Sequence, residues 1–244
     1  GTNRYLTTDA STTATRIYHN NVGRLATTAT GVAVTGSTVH TAGDVKNTIS
    51  GTYKLFGANG TAGSNSYVTY AFEGDNDTGM NRTGNNNLQL VTAGAAAIKI
   101  DGAGVVTKPL QPAFHGFLSS SVGSNSGWTK VPLNAEKFDI GNNFNTSNGT
   151  FTVPVSGRYI LTGHFHSATA SSYLYLAIYA GSTPLPYLDS RHGYASGTDT
   201  MLGGSVIANL TANDAITLHT YSNSANYVMG GGDQRTSLAG YFLG

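Results

Sequence analysis

The sequence has no cysteine, and none of its six prolines lies before Pro109. Without cysteine, disulfides and thiolate metal sites are excluded as sources of stability. A chain that must be held together some other way points to association between copies. Charge is also scarce. Only 10% of residues are charged, and 13 basic side chains against 12 acidic ones leave a net charge of +1. The basic residues are scattered, so there is no stripe or patch for nucleic acid. No run of 18 apolar residues occurs, which excludes membrane insertion through an apolar helix. Glutamate is limited to Glu73 and Glu136, and tryptophan to Trp128. The chain opens on Gly1 with no signal-like segment, which suggests a fragment or a processed chain.

What is present points one way. There are 32 glycines, 14 tyrosines and 9 phenylalanines, with abundant Thr, Ser and Asn. Aromatic content at this level is unlike that of disordered chains. Thr, Tyr, Val and Ile favour strands, and Gly and Asn favour turns. Helical periodicity is hard to find. The expected class is all-β, with many turns.

The two parts of the chain differ in texture. Residues 1–108 carry short apolar alternations separated by Gly, Thr and Asn, as at Leu88/Leu90 and Ile98/Ile100. These read as short strands with too few large side chains for a thick core. A thin strand array leaves open edges, which intertwined copies would close. Residues 1–108 are therefore expected to form an elongated, multi-chain β-stalk.

Within it, "YAFEGDNDTGMNRTGNNNLQLVTAGAAAIKIDGAGVV" carries Phe72, Asp75, Asp77, Thr78, Gly79, Gly84, Asn86, Leu88, Gly94, Ile100, Asp101 and Gly104. This order resembles a recurrent segment of bacteriophage tail-fibre proteins, with Asn81 where an aromatic is common. The resemblance implies a fibre shaft on a virion. The stretch "DNDTGM" also suggests a calcium loop. Counted from Asp75, however, positions 5, 6 and 12 are Gly79, Met80 and Asn86, where an EF-hand needs an oxygen ligand, Gly and Glu. The expected reading is an Asx-type turn.

From Pro109 onward, strand-like runs recur with turn signals between them, from "AFHGFL" to "SLAGYFLG". Ten such runs suit a sandwich or jelly roll. Phe151, Val153 and Val155 alternate with Thr152, Pro154 and Ser156, so one face is expected to be buried and Pro154 to mark an edge or bulge. Gly157 is placed for a tight turn. The spacing Leu133, Asp139, Phe144, Phe151, Gly157, Tyr159, Leu161, Gly163 resembles the C1q/TNF-like family, with Gly163 in place of an aromatic. "LTANDAITLHTY" (Asn213 for a Gly) and "SLAGYFLG" (Leu238 for a Phe) extend the likeness. The resemblance implies that 109–244 is a ten-stranded C1q/TNF-like jelly roll that assembles as a homotrimer.

His164-x-His166 raises the question of a metal. On a strand the two rings share a face. Cupins hold metal this way, but six residues separate Gly157 from His164 where that motif has five, and no Glu follows in 167–172. No metal and no cofactor are expected. Glycan cleavage needs two carboxylates a few ångströms apart. With only two glutamates, one in each half, the candidate pair is Asp189 and Asp199. A polysaccharide-cleaving tail spike is thus the alternative to a non-enzymatic adhesin.

If the runs alternate up and down, the longer loops gather at one end of the head, away from the stalk. They are built of Ser, Gly, Asn and Tyr, a mixture suited to adaptable recognition. The expected contact residues are Trp128, Tyr173, Arg191, His192, Tyr194, Tyr227, Asp233 and Gln234. The expected role is host-cell attachment by the distal part of a tail fibre on the virion, through a surface receptor of glycan type.

Overall fold

A computed structural model describes residues 4–9, 14–19, 22–28, 31–34, 70–72, 74–84, 86–124, 126–167, 173–192, 200–224, 227–232 and 234–244. Every described element is a strand. The chain divides into two compact units, Gly1–Phe56 and Gly57–Gly244.

In the first unit, β1 (Arg4–Asp9), β2 (Ala14–His19), β3 (Val22–Thr28) and β4 (Gly31–Val34) form an antiparallel meander in chain order. The register sets Leu6 against Ile17, Ile17 against Leu25, and Leu25 against Val34. Leu6, Ile17 and Leu25 therefore form an apolar row across β1–β3 on a single face. Leu6, Ile17 and Leu25 are exposed.

The second unit opens with another antiparallel meander. It comprises β5 (Tyr70–Phe72), β6 (Asp75–Asn81), β7 (Leu88–Thr92), β8 (Ala95–Ile100) and β9 (Val106–Thr107). Tyr70, Met80, Leu90 and Ile98 line up across it, as do Leu88, Ile100 and Val106. Leu88, Leu90, Met80 and Val106 are exposed, while Gln89 and Val91 on the opposite face are buried. Gln89 Nε2 donates to Thr83 Oγ1 at 3.1 Å, which ties that face to the β6–β7 connection.

The Asx-type turn expected at "DNDTGM" has its hydrogen bonds, the Asp75 carboxylate accepting from the backbone N–H groups of Asp77 and Thr78. Ladder pairing holds Asp75, Gly79 and Met80 to β5 and Gly79, Met80 and Asn81 to β7, with residues 76–78 in the bulge of the β5–β6 pair. A second such turn lies at the β8–β9 connection, where Asp101 Oδ1 accepts from Ala103 N and Val105 N, both at 2.9 Å.

The remaining strands build two packed sheets. In chain order they are β10 (Ala113–Phe117), β11 (Val122–Ser124), β12 (Gly127–Lys130), β13 (Ala135–Ile140), β14 (Phe144–Asn145), β15 (Thr150–Thr152) and β16 (Gly157–Ser167). Then come β17 (Tyr173–Ala180), β18 (Thr183–Pro184), β19 (Asp189–His192), β20 (Thr200–Leu210), β21 (Ala215–Ser222), β22 (Tyr227–Met229) and β23 (Ser237–Phe242). One sheet runs β11-β22-β16-β23-β10-β13, with β20 on the other edge of β16. The second runs β14-β15-β21-β17-β18, with β12 on β21 and β19 on β17. First and last strands of the sandwich are neighbours, β10 against β23. The ten expected runs are thus joined by short extra strands. Pro154 lies just beyond β15, where it costs no ladder bond.

Alternation builds the core. Tyr159, Leu161 and Phe165 of β16 point inward, as do Leu174, Leu176 and Ile178 of β17, and all are fully buried. Phe114 stacks on Phe151 at 4.1 Å between ring centres, and Phe151 meets Tyr159 edge-on at 6.2 Å. The Tyr159 hydroxyl donates to the Val155 carbonyl at 2.9 Å, so its polar end is satisfied.

Two glycines answer to this packing. Gly157 has φ 150°, and a Cβ there would stand 2.6 Å from the Phe242 ring. At Gly163 the space an aromatic would need is already filled. A Cβ would meet Leu188 Cδ1 at 2.7 Å and Leu218 Cδ1 at 2.8 Å.

Candidate functional site

The outer faces of the two sheets differ in chemistry. On the β12–β21–β17 sheet, the inward side chains of β17 are aliphatic, those of β21 are Ile216, Leu218, Thr220 and Ser222, and the outward ones are mostly rings. The run "YLYLAIY" alternates on β17, so Leu174, Leu176 and Ile178 face the core while Tyr175 and Tyr179 face out. Ladder register sets Trp128 opposite Tyr221, and Tyr221 opposite Tyr175, giving one aromatic row across three strands.

The rings brace one another. Trp128 stacks on Tyr187 at 5.7 Å with 14° between planes. It meets Tyr179 edge-on at 5.9 Å and lies 5.7 Å from Tyr221. Tyr175 contacts Tyr221 at 5.5 Å and His192 at 5.3 Å, both edge-on. Tyr173 meets the same His192 at 5.2 Å. Tyr187 is 60% exposed, so an open ring face remains.

This face carries little charge. His219 stacks on Tyr179 at 4.1 Å. Burial, and secondarily the nearby Lys130 charge, push its pKa down to about 4, so it is neutral near pH 7. Burial also lowers the pKa of Lys130, whose ammonium donates to Thr150 Oγ1 at 2.8 Å.

The other sheet presents aliphatic groups. Ile160 stands opposite Ile207, and His166 opposite Met201. Ile207 is 62% exposed and Met201 56%; Phe138 and Tyr241 are exposed on the same sheet. His115 sits edge-on to Phe138 at 6.3 Å, and its pKa is lowered by burial, then by Lys137 and His164.

The residues expected to form the contact surface are distributed as follows. Trp128, Tyr173 and His192 share the aromatic neighbourhood, but they stand on β12, β17 and β19 rather than in loops. Arg191 is opposite Leu174 in the β17–β19 ladder. Tyr227 is on β22 of the other sheet, opposite Ser124. Gln234 lies in a turn, with φ 57°. Tyr194 and Asp233 lie outside the described residues. Sequence reasoning missed Tyr175, Tyr179, Tyr187 and Tyr221. For the two on β17 the signal was there, in the period-2 spacing of "YLYLAIY".

The two histidines of β16 differ in burial. His166 is buried, its N–H donates to Thr236 Oγ1 at 3.0 Å, and its carbonyl accepts from Gly230 N at 2.7 Å. His164 is exposed, with Gly203 opposite. Among the described residues, no three His, Asp or Glu side chains converge as metal ligands would. Of the carboxylates considered for glycan cleavage, Glu73 and Asp199 lie outside the described residues. Asp189 is held by Ser190 N at 2.7 Å and Gly203 N at 3.3 Å. A polar hollow of about 460 Å³ beside Asn142, Asn143 and Thr152 has Glu136 as its one acidic lining residue.

A two-sheet jelly roll with extended, chemically distinct outer faces is the architecture of the C1q/TNF-like class, often a trimeric binding module. The family model for the C1q domain matches residues 113–243, and the chain belongs to the C1q domain family. Among solved structures, the globular domain of zebrafish complement 1qA is similar: 19% identity, 55% of this chain and 98% of that one, TM-score 0.41. Eiger TNF from S. frugiperda shows 11% identity over 55% of this chain and 92% of that one, TM-score 0.45. Murine APRIL shows 15% over 55% and 99%, TM-score 0.42. No curated protein matches. Domains of this class are typically non-enzymatic and commonly form homotrimers.

Proposed function

We propose that this chain is the distal, receptor-binding part of a bacteriophage tail fibre. In this reading it is a homotrimer in which residues 1–108 form a β-structured shaft and residues 109–244 a C1q-type head. The head attaches the virion to a receptor on the host cell.

The observation that carries the reading is the junction of two features in one chain. A tail-fibre-like segment, Phe72 to Gly104, leads into a C1q domain that starts at residue 113. Surface chemistry supports assembly. The apolar rows through Leu6, Ile17 and Leu25 and through Met80 and Leu90 lie exposed on their sheets. Copies packed around an axis would cover them. In the head, Ile160, Ile207 and Met201 present methyl-rich surface that needs no hydrogen-bonding partner, which suits burial against a second copy.

The test has two readouts. Light scattering on the purified chain should give three times 25.3 kDa, about 76 kDa. The trimer should adsorb to bacterial cells and block infection by a phage carrying the same fibre. A monomer in solution, or a trimer that binds no cell in a broad bacterial panel, would refute the reading.

A further inference from the structure

We propose that the aromatic wall on the β12–β21–β17 sheet is a binding site for an uncharged polysaccharide, with sugar rings lying against Trp128, Tyr187, Tyr175 and Tyr221. The inference rests on the adhesive reading above and moves recognition from the loops to a strand face.

Three observations carry it. The first is preorganisation. Each of these rings is held by at least two others at 5.3–6.3 Å; Tyr187 leans on Trp128 and Tyr175 from a loop and stays open to solvent. A surface already locked loses little side-chain freedom on binding.

The second is electrical. The outward positions of this ladder are Trp128 and Lys130, Thr217, His219 and Tyr221, and Tyr175, Ala177 and Tyr179. No carboxylate is among them. Lys130, the one cation, is turned to Thr150, and His219 is neutral. A cationic ligand finds no counter-charge among these positions, and an anionic one finds only Lys130, held at Thr150.

The third concerns the occupant. Burying this wall against another copy would leave phenol hydroxyls and the indole N–H in need of partners. A sugar has both an apolar C–H face for the rings and hydroxyls to exchange hydrogen bonds with those groups. The face around Ile207 makes less of this demand, with Tyr241 opposite Ile160 as the phenol in that row, so the two faces divide between copy and ligand.

Trp128 is the only tryptophan in the chain, so its emission reports on this site alone. The full chain is titrated with dextran, galactomannan and glycogen, and run in gels containing each. Hyaluronate serves as the charged comparison. The expected result is an emission shift and retarded migration with at least one neutral polymer, and none with hyaluronate. Tyr187→Ala, at an exposed position, should weaken the response about tenfold. No response to any neutral polymer, or an undiminished one in Tyr187→Ala, overturns the proposal. A changed oligomeric state in Tyr187→Ala also overturns it, because the wall would then belong to a copy. Cell adsorption separates the two readings. Undiminished adsorption by Tyr187→Ala removes this site and leaves the adhesin. A wild-type chain that binds the polymer but no cell keeps the site and removes the adhesin.

Discussion

Acid should loosen this head through His219. In the folded protein its pKa is about 4 against an ordinary 6.5, because its ring is buried on Tyr179 beside Lys130. Above pH 6.5 the imidazole is neutral in both folded and unfolded chains and contributes no pH dependence. Between about 6.5 and about 4 the unfolded chain takes up a proton that the folded one refuses, so stability falls as pH falls. Below about 4 both states are protonated and the loss levels off. The full span, 2.5 pH units at about 1.36 kcal/mol each, sets an upper bound of about 3.4 kcal/mol per protomer. The ring keeps some solvent contact, so screening reduces this to about 1–2 kcal/mol. Urea unfolding at pH 7.5, 5.5 and 4, at one fixed protomer concentration, measures it for wild type and for His219→Phe. The phenylalanine keeps the stack and cannot titrate. It should lose the hydrogen bond to Thr217 at every pH but fall less steeply than wild type below pH 6.5. His115, also lowered by burial, should leave a residual slope in both. Parallel curves for the two proteins would refute the assignment of this slope to His219.

Other substitutions test the scaffold. Phe151→Ala removes a ring stacked on Phe114 and should cost about 3–5 kcal/mol in chemical denaturation, with a shrunken near-ultraviolet signal. Gly157→Ala combines a positive φ with a clash at the Phe242 ring and should cost about 1–3 kcal/mol. Ile207→Glu places a charge on the exposed aliphatic face and should convert the trimer to monomers in light scattering while leaving the far-ultraviolet spectrum unchanged.

The core was legible because its signal is local. Phe151, Val153, Tyr159 and Leu161 alternate with polar neighbours over a few residues, and alternation says which side is buried. The aromatic wall was half legible by the same rule. Tyr173, Tyr175 and Tyr179 share a parity on one strand, yet attention to Gly- and Ser-rich loops drew the contact surface elsewhere. What no local pattern carries is the pairing between distant strands. Trp128 meets Tyr221, and Tyr221 meets Tyr175, only because β21 lies between β12 and β17. Tyr187 was harder still. It sits between strands, and its place on Trp128 depends on how the chain turns after β18. "DNDTGM" kept its local signal inside a strand, the Asp75 carboxylate accepting from Asp77 and Thr78 N while Asp75, Gly79 and Met80 pair with β5.

The two outer faces have consequences for each other. A stack of a few rings on an uncharged sugar makes a weak single contact. Three walls on one trimer, presented to a repetitive polymer, raise the apparent affinity by roughly 10²–10⁴ without any new contact. Adhesion would then depend on Ile207 as much as on Tyr187, through different quantities. Dissociating the trimer with Ile207→Glu should leave the Trp128 emission midpoint unchanged for a short oligosaccharide, since each wall is built within one chain. The same substitution should sharply reduce retention on whole cells. Tyr187→Ala should weaken both readouts. If Ile207→Glu weakened the oligosaccharide response as well, the wall would be incomplete in a single protomer, and the division of labour between the two faces would be wrong.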